Sequence, residues 1–293
     1  MSEVTERFLA DRPRLLSLAH RILGSIHDAE DAVQTAWLRA HPCPAADIEN
    51  VSAWLTTVVT RVCLDQLRAR SRRDALTARV DPISDVELAA DEAFLQRDDV
   101  SRALMVLLAT LTPPQRVAFV LHDLFAVPFD RIADILDTTP TNAKKHASRA
   151  RSRIRPPAAP SGPAPDEEDH AAVVTAFLQA AGGGDMHRML SLMAPECVRI
   201  ADAALMPVGA ALSISSAAAI AEETRHFVGR IRSSIPMRVN GRALHVIAPG
   251  GHAIATIDIA VRAGLVTAIT IAPLAATDVV EAVAYQASGK CDL

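Results

Sequence analysis

Lys144, Lys145, Arg149, Arg151, Arg153 and Arg155 fall within twelve residues that contain no acid. Like charges crowded on one helix repel each other unless a polyanion is the partner. At about 100° per residue, Ala143, Ala147, Ala150 and Ile154 fall in one narrow sector. Thr141, Lys145, Ser148 and Ser152 lie roughly opposite, flanked by Asn142, Lys144, Arg149 and Arg151. Short hydrogen-bonding side chains with Lys145 in the middle and long cations at the edges suit a groove. Cations hold phosphates, and the central side chains are placed to reach base edges. The bland alternative is a solvated face.

A second set is Thr57, Arg61, Asp65, Arg68 and Arg72, spaced four, four, three and four apart on one helical stripe. Asp65 is expected to pair with Arg61 and Arg68 and so fix the guanidiniums. Such a stripe suits a nucleic-acid backbone or plain solvent. In a third set, Asp28, Glu30 and Asp31 follow Ser25 in the first turn of a helix, where the dipole favours acids. That is reason enough for them, and docking to a basic partner is another. In the C-terminal half the polar candidates are Asp202, His187, Asn240, His245 and Asp258, and no pair has a recognisable acid–base spacing.

The overall composition looks unfavourable for a nucleic-acid partner, because the net charge is −4. The average hides segregation: residues 1–155 hold 21 Lys and Arg against 21 Asp and Glu, and residues 61–79 hold six arginines against two aspartates. Local charge decides phosphate binding. Half of the 293 residues are hydrophobic, which excludes overall disorder and allows two domains. No run of about eighteen apolar residues and no basic-then-apolar signal pattern is present, so a soluble cytoplasmic protein is expected. Cys43, Cys63, Cys197 and Cys291 are scattered, fitting a reducing compartment and giving no metal-ligand spacing; neither metal nor cofactor is expected.

Periodicity predicts helices over 4–24, with Pro13 a kink or restart and Gly24 the stop, over 27–40, and over 51–70. Residues 71–98 lose periodicity and read as a linker that lets two helical units sit apart. A helix resumes at 100–111. Three short helices then occupy 112–155, where Pro113 and Pro114 start the first, Pro128 breaks it, and Thr138, Thr139 and Pro140 precede the third. This is helix-turn-helix spacing.

These parts, in this order, resemble the bacterial extracytoplasmic-function sigma factors of the sigma-70 family. DAEDAVQTAWLRA is similar to their region 2.2, AWLTTVVTRVCLDQLRARSRR to regions 2.3 and 2.4, and LTPPQRVAFVLHDLFAVPFDRIADIL with ASRARSRIR to region 4. The resemblance implies that Asp28, Glu30, Asp31, Gln34, Trp37 and Leu38 dock on core RNA polymerase, at the clamp of the beta-prime subunit, with the flap of beta a further contact. It implies that Asn50, Arg61, Asp65, Arg68 and Arg72 serve the −10 element, Asn50 in a loop that captures an unstacked base. Thr141, Asn142, Lys144, Lys145, Ser148, Arg149 and Arg151 would then serve the −35 element. Asp137 and Thr138 stand where a glycine is common, and Lys144, Lys145 and His146 replace a frequent Ala-Arg-Gln, which leaves the promoter sequence open.

Pro156–Asp169 is a Pro-rich spacer. Beyond it, helices over 170–181 and from 186, a strand over 197–203, a helix over 216–231 and strand-like runs over 235–248, 252–261 and 265–272 make an α+β plan. AFLQAAGGGDMHRMLSLMAPECV and VNGRALHV resemble the SnoaL-like branch of the cone-shaped NTF2-like fold, which is appended to sigma factors of group 41. If that cone encloses a pocket, Asp202, Asn240 and Asp258 are its candidate polar residues. The expected architecture is multidomain: region 2, all α, over 1–72; a linker over 73–98; region 4 over 99–155; a Pro-rich linker over 156–168; and the cone domain over 169–285. The expected function is promoter-specific transcription initiation, with the C-terminal domain modulating it in cis, no membrane partner and no catalysis. A ligand-responsive helix-turn-helix regulator, or an enzyme-like activity in the cone domain, would be the alternatives; a separate anti-sigma partner is neither implied nor excluded.

Overall fold

The computed structural model of the chain describes residues 3–43, 48–77, 84–98, 100–154, 165–207, 209–275 and 277–283. Arg155, residues 156–164 of the Pro-rich spacer and Cys291 lie outside the described residues. The chain divides into two compact units, residues 1–155 and 156–293.

The first unit is all helical. It comprises α1 (Glu3–Leu23), α2 (Ile26–Ala40), α3 (Val51–Thr77), α4 (Asp85–Arg97), α5 (Arg102–Ala109), α6 (Pro113–Phe119), a π-helical turn Val120–Leu124, α7 (Phe129–Leu136) and α8 (Pro140–Ile154). α1 continues through Pro13 without restarting. The turns beyond that proline bury Leu15, Leu18, Ala19 and Ile22 completely, and this burial outweighs the hydrogen bond that proline cannot donate. Gly24, at φ 86°, ends the helix in the left-handed conformation.

The stretch expected as a linker departs most from expectation. α3 runs on to Thr77, and residues 85–97 form α4, opened by a reciprocal capping box between Ser84 and Glu87. Residues 78–83 of that stretch lie outside the described residues. Within α4, Asp91 is buried and accepts a 2.6 Å hydrogen bond from the Ile26 backbone N–H, which places a carboxylate at the N-terminus of α2. The regions on either side of α4 share one core, from Val4 through Leu64 to Ile132 and Ala150, so they do not sit apart.

The second unit starts with α9 (Pro165–Gly183) and α10 (Met186–Leu192) and carries α11 (Ala217–Thr224) and α12 (Val228–Arg232). Its strands are β1 (Met193–Ala201), β2 (Ser213–Ser215), β3 (Ser234–Val239), β4 (Arg242–Ile247), β5 (Ala255–Arg262), β6 (Leu265–Pro273) and β7 (Val280–Ala282). They form one sheet in the order β2-β1-β6-β5-β4-β3-β7; β1 and β6 run parallel and the other neighbours antiparallel. This is the expected helix-plus-sheet plan, revised by the short strands β2 and β7, by a β1 that begins at Met193, and by the parallel pairing of β1 with β6. The run 235–248 is a hairpin, turned by Asn240 and Gly241, both at positive φ, as the Asn-Gly pair favours. A core including Phe177, Met189, Ile220, Ile257 and Val266 joins helices to sheet.

Candidate nucleic-acid and polymerase interface

α8 divides as its sequence demands. Ala143, Ala147 and Ala150 are fully buried, and α8 packs on α6 and α7. Side chains of one carbon let the axes approach closely. Thr141, Asn142, Lys144, Lys145, Ser148, Arg149 and Arg151 are all exposed on the outer surface. Thr139 Oγ1 accepts from the Asn142 N–H at 3.3 Å, and Asn142 Nδ2 donates to Thr138 Oγ1 at 3.3 Å, which fixes the helix entry. Asp137 takes the left-handed conformation, φ 53°, so the turn that usually employs glycine is made by an aspartate.

The cations of α8 are not equivalent. Arg151 Nε donates to Asp123 Oδ1 at 2.6 Å, tying the helix to the π-helical turn, and Arg153 donates to the Thr110 carbonyl at 3.2 Å. Lys144 Nζ sits 5.8 Å from the Phe129 ring centroid. Among the described residues, Lys145 and Arg149 enter no ion pair. Burial, aided by the Arg149 charge, pushes the His146 pKa down.

On α3, Arg61, Asp65, Arg68 and Arg72 are exposed along one stripe, while Leu55, Val59, Val62 and Leu67 on the opposite side are buried. The expected pairing through Asp65 is absent among the described residues. Instead Arg61 Nη2 donates to the Asp134 carbonyl of α7 at 3.0 Å, because α7 packs directly against α3. Asn50 is exposed, and its Oδ1 accepts from the Ala53 N–H at 2.9 Å, capping α3.

On α2, Glu30, Asp31, Gln34 and Leu38 share an outer face, with Leu38 67% exposed. Asp28 pairs with Arg70 of α3. Trp37 is half-buried, its ring 4.7 Å from Phe8 and 4.8 Å from His41. Four of the six residues proposed for this face therefore present themselves together, and the other two bind α2 to its own bundle.

Sequence reasoning missed the polar residues that join the two halves of the first unit. Arg116 of α6 is buried and donates through Nη1 to the Ile22 carbonyl, at the end of α1, at 3.0 Å. Burial, reinforced by the Arg70 charge, lowers its pKa to about 10. Ser17 and Arg21 both donate to Asp98 Oδ2, at 2.7 and 2.9 Å, and the Arg14 and Arg21 guanidiniums lie 5.5 and 5.6 Å from the Phe125 ring centroid. The sequence signal for α4 was the Ser84-to-Glu87 spacing; no pattern marked Arg116, which sits among apolar residues and looks like a surface cation.

In the second unit the structure places the three candidate pocket residues apart from one another, each engaged locally. Asp202 is exposed and caps a short turn through the Ala204 N–H at 2.9 Å; Asn240 is exposed in the hairpin and bonds to Asp278 and to the Val279 N–H. Asp258 accepts from the exposed Arg242 at 2.6 Å. Its strand neighbours Ile257 and Ile259 are buried in the core, so the period of two turns Asp258 to the other face. His187 is exposed.

Comparison with known proteins follows the same division. Residues 8–73 match the family Sigma-70 region 2, and residues 101–154 match Sigma-70, region 4. The ECF RNA polymerase sigma factor SigJ of Mycobacterium tuberculosis (strain ATCC 25618 / H37Rv) is 43% identical over 208 residues, 66% of this chain and 63% of that protein. A probable ECF RNA polymerase sigma factor, SigI, of Mycobacterium tuberculosis (strain CDC 1551 / Oshkosh) is 33% identical over 205 residues, 66% of this chain and 67% of that protein. The match thus spans just under two thirds of SigJ and two thirds of SigI. The crystal structure of Mycobacterium tuberculosis extracytoplasmic function sigma factor SigJ aligns over 92% of this chain and 96% of that one, at 32% identity and a TM-score of 0.45.

Proposed function

We propose, from the premise that this chain belongs to the extracytoplasmic-function RNA polymerase sigma factors, that it directs core RNA polymerase to a set of promoters from within the cytoplasm. One observation carries the reading: a single helical unit exposes three separate charged faces, acidic on α2, arginine-rich on α3 and acid-free on α8. A plain helix-turn-helix regulator would need only the last. In this reading Glu30, Asp31, Gln34 and Leu38 dock on the beta-prime clamp, and Arg61, Arg68 and Arg72 follow the backbone at the −10 element. Thr141, Lys145 and Ser148 meet the −35 bases between Lys144 and Arg149. Because Asn50 already caps α3 with its oxygen, any base contact falls to its amide nitrogen or to the loop beside it. The second unit modulates this activity in cis.

The reading requires movement. The two promoter elements are separated by about 25 base pairs, about 85 Å at about 3.4 Å each. A compact unit of 155 residues has a diameter of about 40 Å. The helices on either side of α4 share one core and Arg61 bonds to Asp134, so both elements are reached together only after α3 and α7 separate. Run-off transcription with core polymerase and the full chain tests the whole proposal. Template-specific transcripts are the expected result, and failure to bind core polymerase overturns it.

A further inference from the structure

The turn between α7 and α8 supplies more than a bend. Asp137 adopts the left-handed conformation, and the backbone N–H groups of Asp137 and Thr138 both donate to the Ala133 carbonyl, the latter at 3.0 Å. This closes the C-terminus of α7 and leaves Thr138 half-buried, its backbone tied to a helix whose Ile132 and Leu136 lie in the core. A β-branched side chain has few χ1 choices, so the Thr138 hydroxyl keeps a fixed place beside the start of α8.

Asn142, in the first turn of α8, is held at both ends. Its backbone N–H donates to Thr139 Oγ1 and its Nδ2 donates to Thr138 Oγ1, each at 3.3 Å. A side-chain amide has two N–H donors and one acceptor oxygen. With one N–H on Thr138, Asn142 keeps one acceptor, Oδ1, and one donor. The rotatable hydroxyls of Thr141 and Ser148 suit either kind of partner, and Lys145 only donates, whereas the amide of Asn142 has its donor and acceptor in a set order before DNA arrives. In the major groove adenine presents a donor, N6–H, beside an acceptor, N7; guanine presents two acceptors, cytosine one donor and thymine one acceptor. The acceptor and donor of Asn142 therefore complement adenine and no other single base. Its position near the helix start is the one from which recognition helices reach base edges.

We propose that Asn142 reads one adenine of the upstream promoter element, and that Thr138 is the positioning residue that orients its amide. This rests on the reading of α8 as the −35 helix. It goes further in naming a base, and in placing part of its selection on a residue outside that helix.

The test is selection of promoter duplexes, randomised over the −35 region, by core polymerase loaded with the full chain. A good bidentate contact discriminates by about 5- to 150-fold, so one position should be enriched in adenine by at least about fivefold. Asn142→Ala should level that position to within about twofold and leave preferences elsewhere unchanged. Asn142→Asp keeps an acceptor without the donor and adds a favourable charge at the helix start, so it should fold and shift the preference toward cytosine. Thr138→Val keeps the branch but loses the hydroxyl and should lower the adenine preference about threefold, the worth of one neutral hydrogen bond. Thr138→Ser should retain it. A merely structural Thr138 would instead weaken binding to all sequences alike. 7-Deazaadenine at the selected position, which lacks the N7 acceptor, should weaken binding by the unaltered chain but not by Asn142→Ala. No adenine preference, a preference untouched by Asn142→Ala, or equal selection by Thr138→Val and the unaltered chain would each overturn the proposal. Enrichment of no −35 sequence at all would overturn the reading of α8 beneath it as well.

Discussion

The unequal state of the cations on α8 makes a quantitative prediction about DNA. Each phosphate neutralised contributes a slope of about −0.9 to log K against log salt, so a fourfold rise in salt weakens binding about 3.5-fold per contact. Lys144, Lys145 and Arg149 are exposed and enter no ion pair among the described residues; together they account for about 40-fold over that range. Arg151 differs, because Asp123 already opposes its charge at 2.6 Å. Changing Lys145 to alanine is therefore expected to reduce the slope by about 0.9, whereas Arg151→Ala reduces it by less than half as much. Asp123→Asn frees Arg151 for phosphate and should steepen the slope. The assay is salt-titrated binding of a promoter duplex by the reconstituted holoenzyme, with fluorescence anisotropy as the readout. Equal slope changes for Lys145→Ala and Arg151→Ala, or an unchanged slope for Asp123→Asn, would refute the distinction between engaged and available cations.

Three further outcomes follow from other parts of the chain. His245 on β4, opposite Ile257 of β5 and Pro236 of β3, has an unpartnered buried Nδ1, and burial lowers its pKa to about 4. The unfolded chain therefore takes up a proton first as pH falls below about 6.5, and going from pH 7 to 5 should cost the second unit about 2 kcal/mol. His245→Leu should lack this loss. Trp37 and Trp54 both belong to the first unit, so amide exchange of β4 and β5, compared between the two proteins at equal pH, is the right readout. Leu38→Asp should weaken core-polymerase binding at least tenfold without lowering stability, since Leu38 is 67% exposed; pull-down with core polymerase beside a thermal melt checks both. Arg116→Met, which removes the buried charge where α6 meets α1, should leave the first unit as stable or stabilise it by about 1 kcal/mol, and should lower transcription. Urea unfolding followed by tryptophan fluorescence, with run-off transcription alongside, measures the pair, and a stable variant with unchanged or raised transcription contradicts it.

The legible parts of this chain were those where one periodicity served one role. The alanine sector of α8 could be read because small residues at helical spacing have no other use, and Ala143, Ala147 and Ala150 are indeed fully buried. The Asn240–Gly241 turn was equally readable in principle, yet the strand-like residues on both sides of it read as one run over 235–248. α4 was lost because its composition is acidic and weakly patterned; its stability comes from a capping box and from Asp91, which meets α2 sixty-five positions away in sequence. Contacts of that separation leave no periodic trace. Asp258 is the opposite case: it has the chemistry of a pocket residue, but strand parity sends its neighbours Ile257 and Ile259 inward and leaves it on the other face.

The seam of the first unit explains how one chain could hold its DNA surfaces together and still release them. Arg61 bonds to a neutral backbone carbonyl at an exposed position, so exchanging that partner for a phosphate gains a charge-assisted bond and loses little. Arg116 is the opposite case. Its guanidinium is buried and donates to the Ile22 carbonyl, and its Nε has no partner among the described residues. Burial and the Arg70 charge both depress its pKa, so the closed form carries this charge at a net cost, and the apolar core between α3, α6 and α7 is left to hold the unit shut. An apolar side chain at 116 would tighten that core and make separation harder. A charge buried at the seam therefore keeps the closed arrangement below the stability its packing could reach, within range of what docking on polymerase and DNA can supply.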